Sequence, residues 1–125
     1  MTLKPVITKV DSLKANQIPG AQKARWLSDC DSTIFHNIIA THENDGSMPV
    51  VFGGYTEEDM DTELLVKAPH DVLYSHYLEM QIDLYNKELG SYNNTSRLFN
   101  TAMTEYSNWY TRTHMPIGKA THFKL

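Results

Sequence analysis

Six histidines, fifteen carboxylates and one cysteine are the side chains of this 125-residue chain that could hold a metal or drive a reaction. A helical two-histidine site needs its ligands one turn apart, at i and i+3 or i+4. His36 and His42 lie six positions apart, as do His70 and His76, so each pair falls on different helix faces. His114 and His122 flank a helix end. No closed zinc ligand set results, and no metal site is expected. The acidic run Glu57, Glu58, Asp59, Asp61 and Glu63 invites calcium. An EF-hand loop, however, alternates its oxygen ligands and turns sharply on a glycine. Here Met60 and Thr62 fill the gaps, and no glycine occurs inside the run. It reads as a solvated turn capping a short helix, because carboxylates favour a helix N-terminus.

Nucleophilic and phosphate chemistry is equally thin. Cys30 falls within a helical pattern, without the basic microenvironment that would activate a thiol. A lone cysteine there is expected as a small buried hydrophobe in a reducing compartment. No serine sits in a Gly-x-Ser-x-Gly elbow. Gly53-Gly54 has neither the length nor the following Lys-Ser/Thr of a phosphate loop. Asn93-Asn94-Thr95-Ser96 contains glycosylation sequons, which carry no meaning without secretion. Neither an enzyme nor a cofactor is expected. Tyr106, Trp109, Tyr110 and Arg112 could form a base-stacking surface. Helical spacing favours an aromatic core instead, and these residue types are also enriched at protein interfaces. The net charge of −4, with eleven scattered basic residues, argues against a protein that wraps nucleic acid.

The elements that would position these side chains are helical. Length and composition point to one folded domain spanning residues 1–125, and helical periodicity to an all-α arrangement, a small bundle with three long helices. Residues 1–18 read as an extended or loosely ordered N-terminal arm, in which Asp11-Ser12 could cap one short turn. The first long helix is expected over about 19–42, opened by Pro19, with Ala24, Leu27, Cys30 or Asp31, Ile34, Ile38 and Thr41 on one face. Asn44-Asp45-Gly46-Ser47 and Gly53-Gly54 mark a turn-rich loop at 43–56. Its apolar tip, Val50, Val51 and Phe52, either folds back onto its own core or docks on a neighbouring subunit. The second helix is expected over about 69–89, with Leu73, Tyr77, Met80 and Leu84 as its stripe. Gly90 would then stop or bend the chain. In the third, over about 91–114, Tyr92, Phe99, Tyr106 and Thr113 recur every seven residues, and Ser96, Met103 and Tyr110 do the same. Pro116 ends that helix, leaving a flexible C-terminal arm over 115–125 with apolar anchors at Ile117, Phe123 and Leu125. No apolar run approaches the roughly 18 residues of a membrane span. No signal peptide is visible, so a cytoplasmic setting is expected.

Segments of the chain resemble a known family. They are Gln22-Lys23-Ala24-Arg25-Trp26-Leu27, the run Met60 to Val66, Ala68-Pro69-His70-Asp71, Leu73 to Leu78, Asp83-Leu84-Tyr85-Asn86 and Tyr92-Asn93-Asn94 through Thr113-His114-Met115-Pro116. Over roughly residues 7–116 this is similar to the helical head–tail connector, or adaptor, proteins of tailed bacteriophages and prophages of Gram-positive bacteria. The resemblance implies a ring beneath the portal, twelve-fold in the virion, through which double-stranded DNA passes. The implied partners are further copies of the chain, the portal protein, and the next connector or tail-completion protein. The implied location is the virion, assembled in the host cytoplasm, with no membrane involved. Candidate subunit contacts are then Val50, Val51, Phe52, Tyr106, Trp109, Tyr110, Arg112, Ile117 and Phe123. The candidate lumen lining is Glu57, Glu58, Asp59, Asp61 and Glu63, whose charge would repel phosphates. The alternative is a phage DNA-packaging protein such as a terminase small subunit, which a basic recognition helix would favour. No such helix is visible in the sequence.

Overall fold

The protein is described by a computed structural model covering residues 1–44 and 46–117. It is an all-α bundle of four helices: α1 (Leu3–Leu13), α2 (Gly20–Ile34), α3 (Val72–Tyr85) and α4 (Leu89–Thr113). A π-helical turn, Phe35–Ile39, continues α2, and a 3-10 turn, Glu57–Asp59, precedes the approach to α3. Among the described residues extended pairing is limited to two isolated bridges, Thr2 with Glu63 and His42 with Pro116.

The segment expected as a loose N-terminal arm is a packed helix. Leu3, Val6, Ile7 and Val10 recur at steps of three, one and three residues and are all buried in the core. Pro5, which suggested extended chain, stands in the first turn, where no intrahelical N–H bond is required. The start of α1 is satisfied from outside: Lys4 N donates to Met60 O at 3.0 Å, while Leu64 N donates to Met1 O at 2.9 Å. The buried Lys23 ammonium on α2 meets Asp11 of α1 at 2.6 Å.

The first long helix is α-helical only to Ile34 and then widens. Ala40 N donates to Phe35 O at 2.8 Å, the i to i+5 bond of a π turn. The wider turn leaves Phe35 facing the 43–56 loop while Ile38 and Ile39 remain buried. α3 starts at Val72, three residues beyond the cis Ala68–Pro69 peptide, and ends at Tyr85. The break expected at Gly90 falls instead at residues 86–88, where Lys87 adopts a positive φ of 58°. Gly90 lies inside the first turn of α4. The cause is a buried carboxylate: Asp83 Oδ2 accepts from Ser91 Oγ and Thr95 Oγ1, both at 2.9 Å, which draws the start of α4 onto the end of α3. Lys14, just after α1, reaches the same carboxylate at 2.9 Å and clamps the corner.

α3 is the central helix. It packs against α1, α2 and α4, and its most extensive contact is with α4. Its buried apolar residues are Leu73, Tyr74, Leu78, Met80 and Ile82, with Ser75 and Asp83 buried among them, whereas Leu84, expected in the stripe, is exposed. Three neighbouring helices give α3 more than one buried face, so a single stripe does not describe it. On α4 the buried positions are Thr95, Ala102, Tyr106 and Tyr110, with Phe99 and Met103 packed beside them.

Candidate functional site

The 43–56 loop is built from its turn residues outward. Asn44 Oδ1 accepts from Gly46 N at 2.9 Å, and Asn44 Nδ2 donates to Met48 O at 2.7 Å. Gly46 takes φ +94°, a left-handed conformation that a side chain would resist. The tip then divides. Val50 and Val51 are 83% and 77% exposed, while Phe52 turns inward. Its ring stacks on Phe35 at 6.1 Å and meets Tyr55 edge-on at 5.2 Å. The loop therefore folds back through Met48 and Phe52 and still presents two valines to solvent.

The loop returns to α2 at a buried carboxylate. Asp31 is 0% exposed and receives three donors from three segments. Tyr55 Oη donates to Oδ2 at 2.5 Å, Leu65 N donates to Oδ2 at 3.0 Å, and Tyr74 Oη donates to Oδ1 at 2.6 Å. Burial pushes the Asp31 carboxyl up, against hydrogen bonds from Tyr55, Tyr74 and Leu65 and the charge of Lys67, which pull it down. Burial, reinforced by the Asp31 charge, pushes the Tyr55 and Tyr74 hydroxyls up as well, so both stay protonated donors. The Cys30 thiol is likewise raised by burial, then by Asp31 and Asp29, which leaves it unreactive. The cluster is an acceptor hub, closed on the Tyr74 side and half-open on the Tyr55 side, and its geometry is that of a structural joint.

The acidic run forms the expected capped turn. Thr56 Oγ1 accepts from Glu58 N at 3.3 Å, and Asp59 Oδ2 accepts from Thr56 N at 2.7 Å, completing a capping box. Asp59 is thus engaged locally. Glu63 is held below the ordinary carboxylate range by the Met1 amino group at 2.9 Å and Lys67 at 3.3 Å. Glu57, Glu58 and Asp61 are exposed and make no ion pair among the described residues.

The aromatic residues of α4 separate by depth. Tyr106 and Tyr110 are 1% and 0% exposed. They belong to the core and are not surface contacts in this fold; Tyr106 lies edge-on to His70, and Tyr110 packs against His42 and His114. Trp109 is half-buried, 5.2 Å from His70 and 5.9 Å from Tyr106. Arg112 and Ile117 are exposed, and Phe123 lies outside the described residues. The segment expected to begin a flexible arm is pinned as far as it is described. Glu43 N donates to Met115 O at 2.7 Å and Ile117 N donates to Thr41 O at 2.8 Å. His42 and His114 each pack against the Tyr110 ring, the first edge-on at 5.4 Å and the second stacked at 3.9 Å. Among the described residues no three His, Cys, Asp or Glu side chains gather closely enough to hold a metal. No helix among the described residues is long and apolar enough to cross a membrane.

Of the eleven large apolar side chains exposed among the described residues, eight gather at two unlike ends of the bundle, and Met1, Val72 and Leu98 lie apart from them. One end carries Val50, Val51, Met115 and Ile117, beside the π turn. The other, where α1 finishes and α3 turns into α4, carries Leu13, Leu84, Tyr85 and Leu89, with Trp26 against Tyr85 at 6.3 Å. The 25 residues of α4 separate them by about 37 Å at 1.5 Å per residue. Sequence reasoning found the first end and missed the second, because Leu84 was assigned to the buried stripe. It also passed over Asp31 as a hub; the available signal was an aspartate standing on an otherwise apolar helix face. Compared with protein-family models, curated proteins and solved structures, the chain matches none.

Proposed function

We propose that this protein is a structural head–tail connector of a tailed phage or prophage, which acts as a ring below the portal and lets DNA pass into the tail. The observation that carries this reading is the pair of unlike apolar ends on one small bundle. A ring closes through heterologous contacts, so each subunit needs two different complementary surfaces. Val50 and Val51 with Ile117 supply one, and Tyr85 and Leu89 with Leu13 supply the other. The unpaired Glu57, Glu58 and Asp61 suit a wall that DNA slides past without being gripped. On this reading the chain is not an enzyme and needs no cofactor. Its partners are further copies of itself, a portal protein above, and a connector or tail-completion protein below.

The test is co-sedimentation of the purified protein with portal rings, followed by electron microscopy of the pellet. Portal rings bearing an added collar of this chain are expected, and the collar should be lost in the Val50→Ser/Val51→Ser variant. Failure to bind any portal overturns the reading. Retention of duplex DNA at moderate salt in a mobility-shift assay would favour the packaging alternative instead.

A further inference from the structure

The ties of the exposed loop to α2 lie within one helical turn of that helix. Tyr55 N donates to Ser28 Oγ at 3.0 Å, and Tyr55 Oη donates to Asp31 at 2.5 Å. Gly54, at φ +85°, runs so close to α2 that a Cβ there would lie 2.9 Å from Ser28 Oγ. Ahead of these ties Phe52 seats on Phe35, the first residue of the π turn. An apolar cleft of about 210 Å³ lies between the loop and that turn, lined by Phe35, Ile39, Pro49, Val50 and Ile117 among others.

We propose that Ser28 and Asp31 form a clasp holding residues 46–55 as a strap across the π turn, and that release of the Tyr55–Asp31 bond lets the strap swing away and uncover Phe35 and Ile39. The two tyrosines on Asp31 are not equivalent. Tyr74 is fully buried, bonds Oδ1, and also accepts from Val66 N at 2.8 Å. Tyr55 is half-buried, and its hydroxyl makes one hydrogen bond among the described residues. Water can replace Asp31 at Tyr55 but cannot reach Tyr74, so the joint opens from the loop side while the core side stays closed.

Amide hydrogen exchange on the intact chain tests the clasp. Tyr55→Phe keeps the ring on Phe52 and removes only the hydroxyl. Exchange at residues 52–55 should rise about tenfold, with α3 and α4 unchanged and binding of an apolar fluorescent dye increased. Ser28→Ala should loosen the Tyr55 amide in the same local way. Tyr74→Phe should loosen residues 65–66 and the start of α3 while leaving 52–55 protected. The clasp is refuted if Tyr55→Phe leaves 52–55 unchanged or speeds exchange evenly across all helices. It is refuted equally if Tyr74→Phe frees the strap as much as Tyr55→Phe does.

Discussion

Replacing Asp31 with alanine would leave two tyrosine hydroxyls and the Leu65 N–H without their acceptor. Buried donors stripped of a charged partner are costly, so Asp31→Ala should destabilise the fold by about 3–5 kcal/mol in urea melts. A loss below about 1 kcal/mol would mean that water fills the site. The pH dependence has a definite sign. Burial raises the Asp31 carboxyl in the folded state, so the folded protein holds that proton more tightly than the unfolded chain. The resulting stability is full below the unfolded value of about 3.9 and is lost as pH rises through the raised folded value. Asp31→Asn cannot titrate. The stability of the native protein relative to this variant should therefore fall as pH rises from about 4. Parallel stability–pH curves for the two proteins would contradict the assignment.

At the scale of elements, α1 shows what the sequence made legible and what it hid. Leu3, Val6, Ile7 and Val10 have helical spacing, but Pro5 and the short length read as an arm, and the partner that covers them, 60–64 with α3, is remote in sequence. Leu3→Ala should cost about 2–4 kcal/mol as a core cavity. An arm residue would change stability by less than about 0.5 kcal/mol, and thermal or urea melts separate the two outcomes. The third long helix, expected over about 91–114, runs from Leu89 to Thr113; of its expected stripe only Tyr106 and Tyr110 are buried, while Thr113 is exposed and Thr95 and Ala102 take buried places instead. The π turn was not legible, since Ile38 and Ile39 fit a continuous α-helix equally well. The α3–α4 corner was misplaced by two to four residues. Gly90 looked like the breaker, yet Asp83, Ser91 and Thr95 form the joint, and their pairing crosses between two helices.

At the scale of the whole molecule, the all-α architecture was readable from periodicity, while the two-ended distribution of apolar surface emerged only in three dimensions. Of the candidate contacts, Val50, Val51, Arg112 and Ile117 stand on the surface, Phe52 and Trp109 are half-buried, and Tyr106 and Tyr110 are core. The proposed ring, closed through heterologous contacts, makes a mixing prediction. Val50→Ser/Val51→Ser and Tyr85→Ser/Leu89→Ser should each sediment as single chains, because neither variant has both halves of the contact. A one-to-one mixture should form a two-chain species through the one intact surface that each retains. Dimerisation of either variant alone would mean a self-complementary contact, which closes as a pair and cannot build a ring.

The central position of α3 also sets the order of assembly during folding. α3 and α4 are joined by only residues 86–88, so their interface closes over short sequence distances and carries a small loop-entropy cost. α1 must instead find α3 and residues 60–64 across some sixty residues of intervening chain. The hairpin is therefore the natural nucleus, with α1 seating late. Phe99→Ala, which removes a ring packed 5.1 Å from Tyr77, should slow refolding in stopped-flow experiments, whereas Leu3→Ala should chiefly speed unfolding.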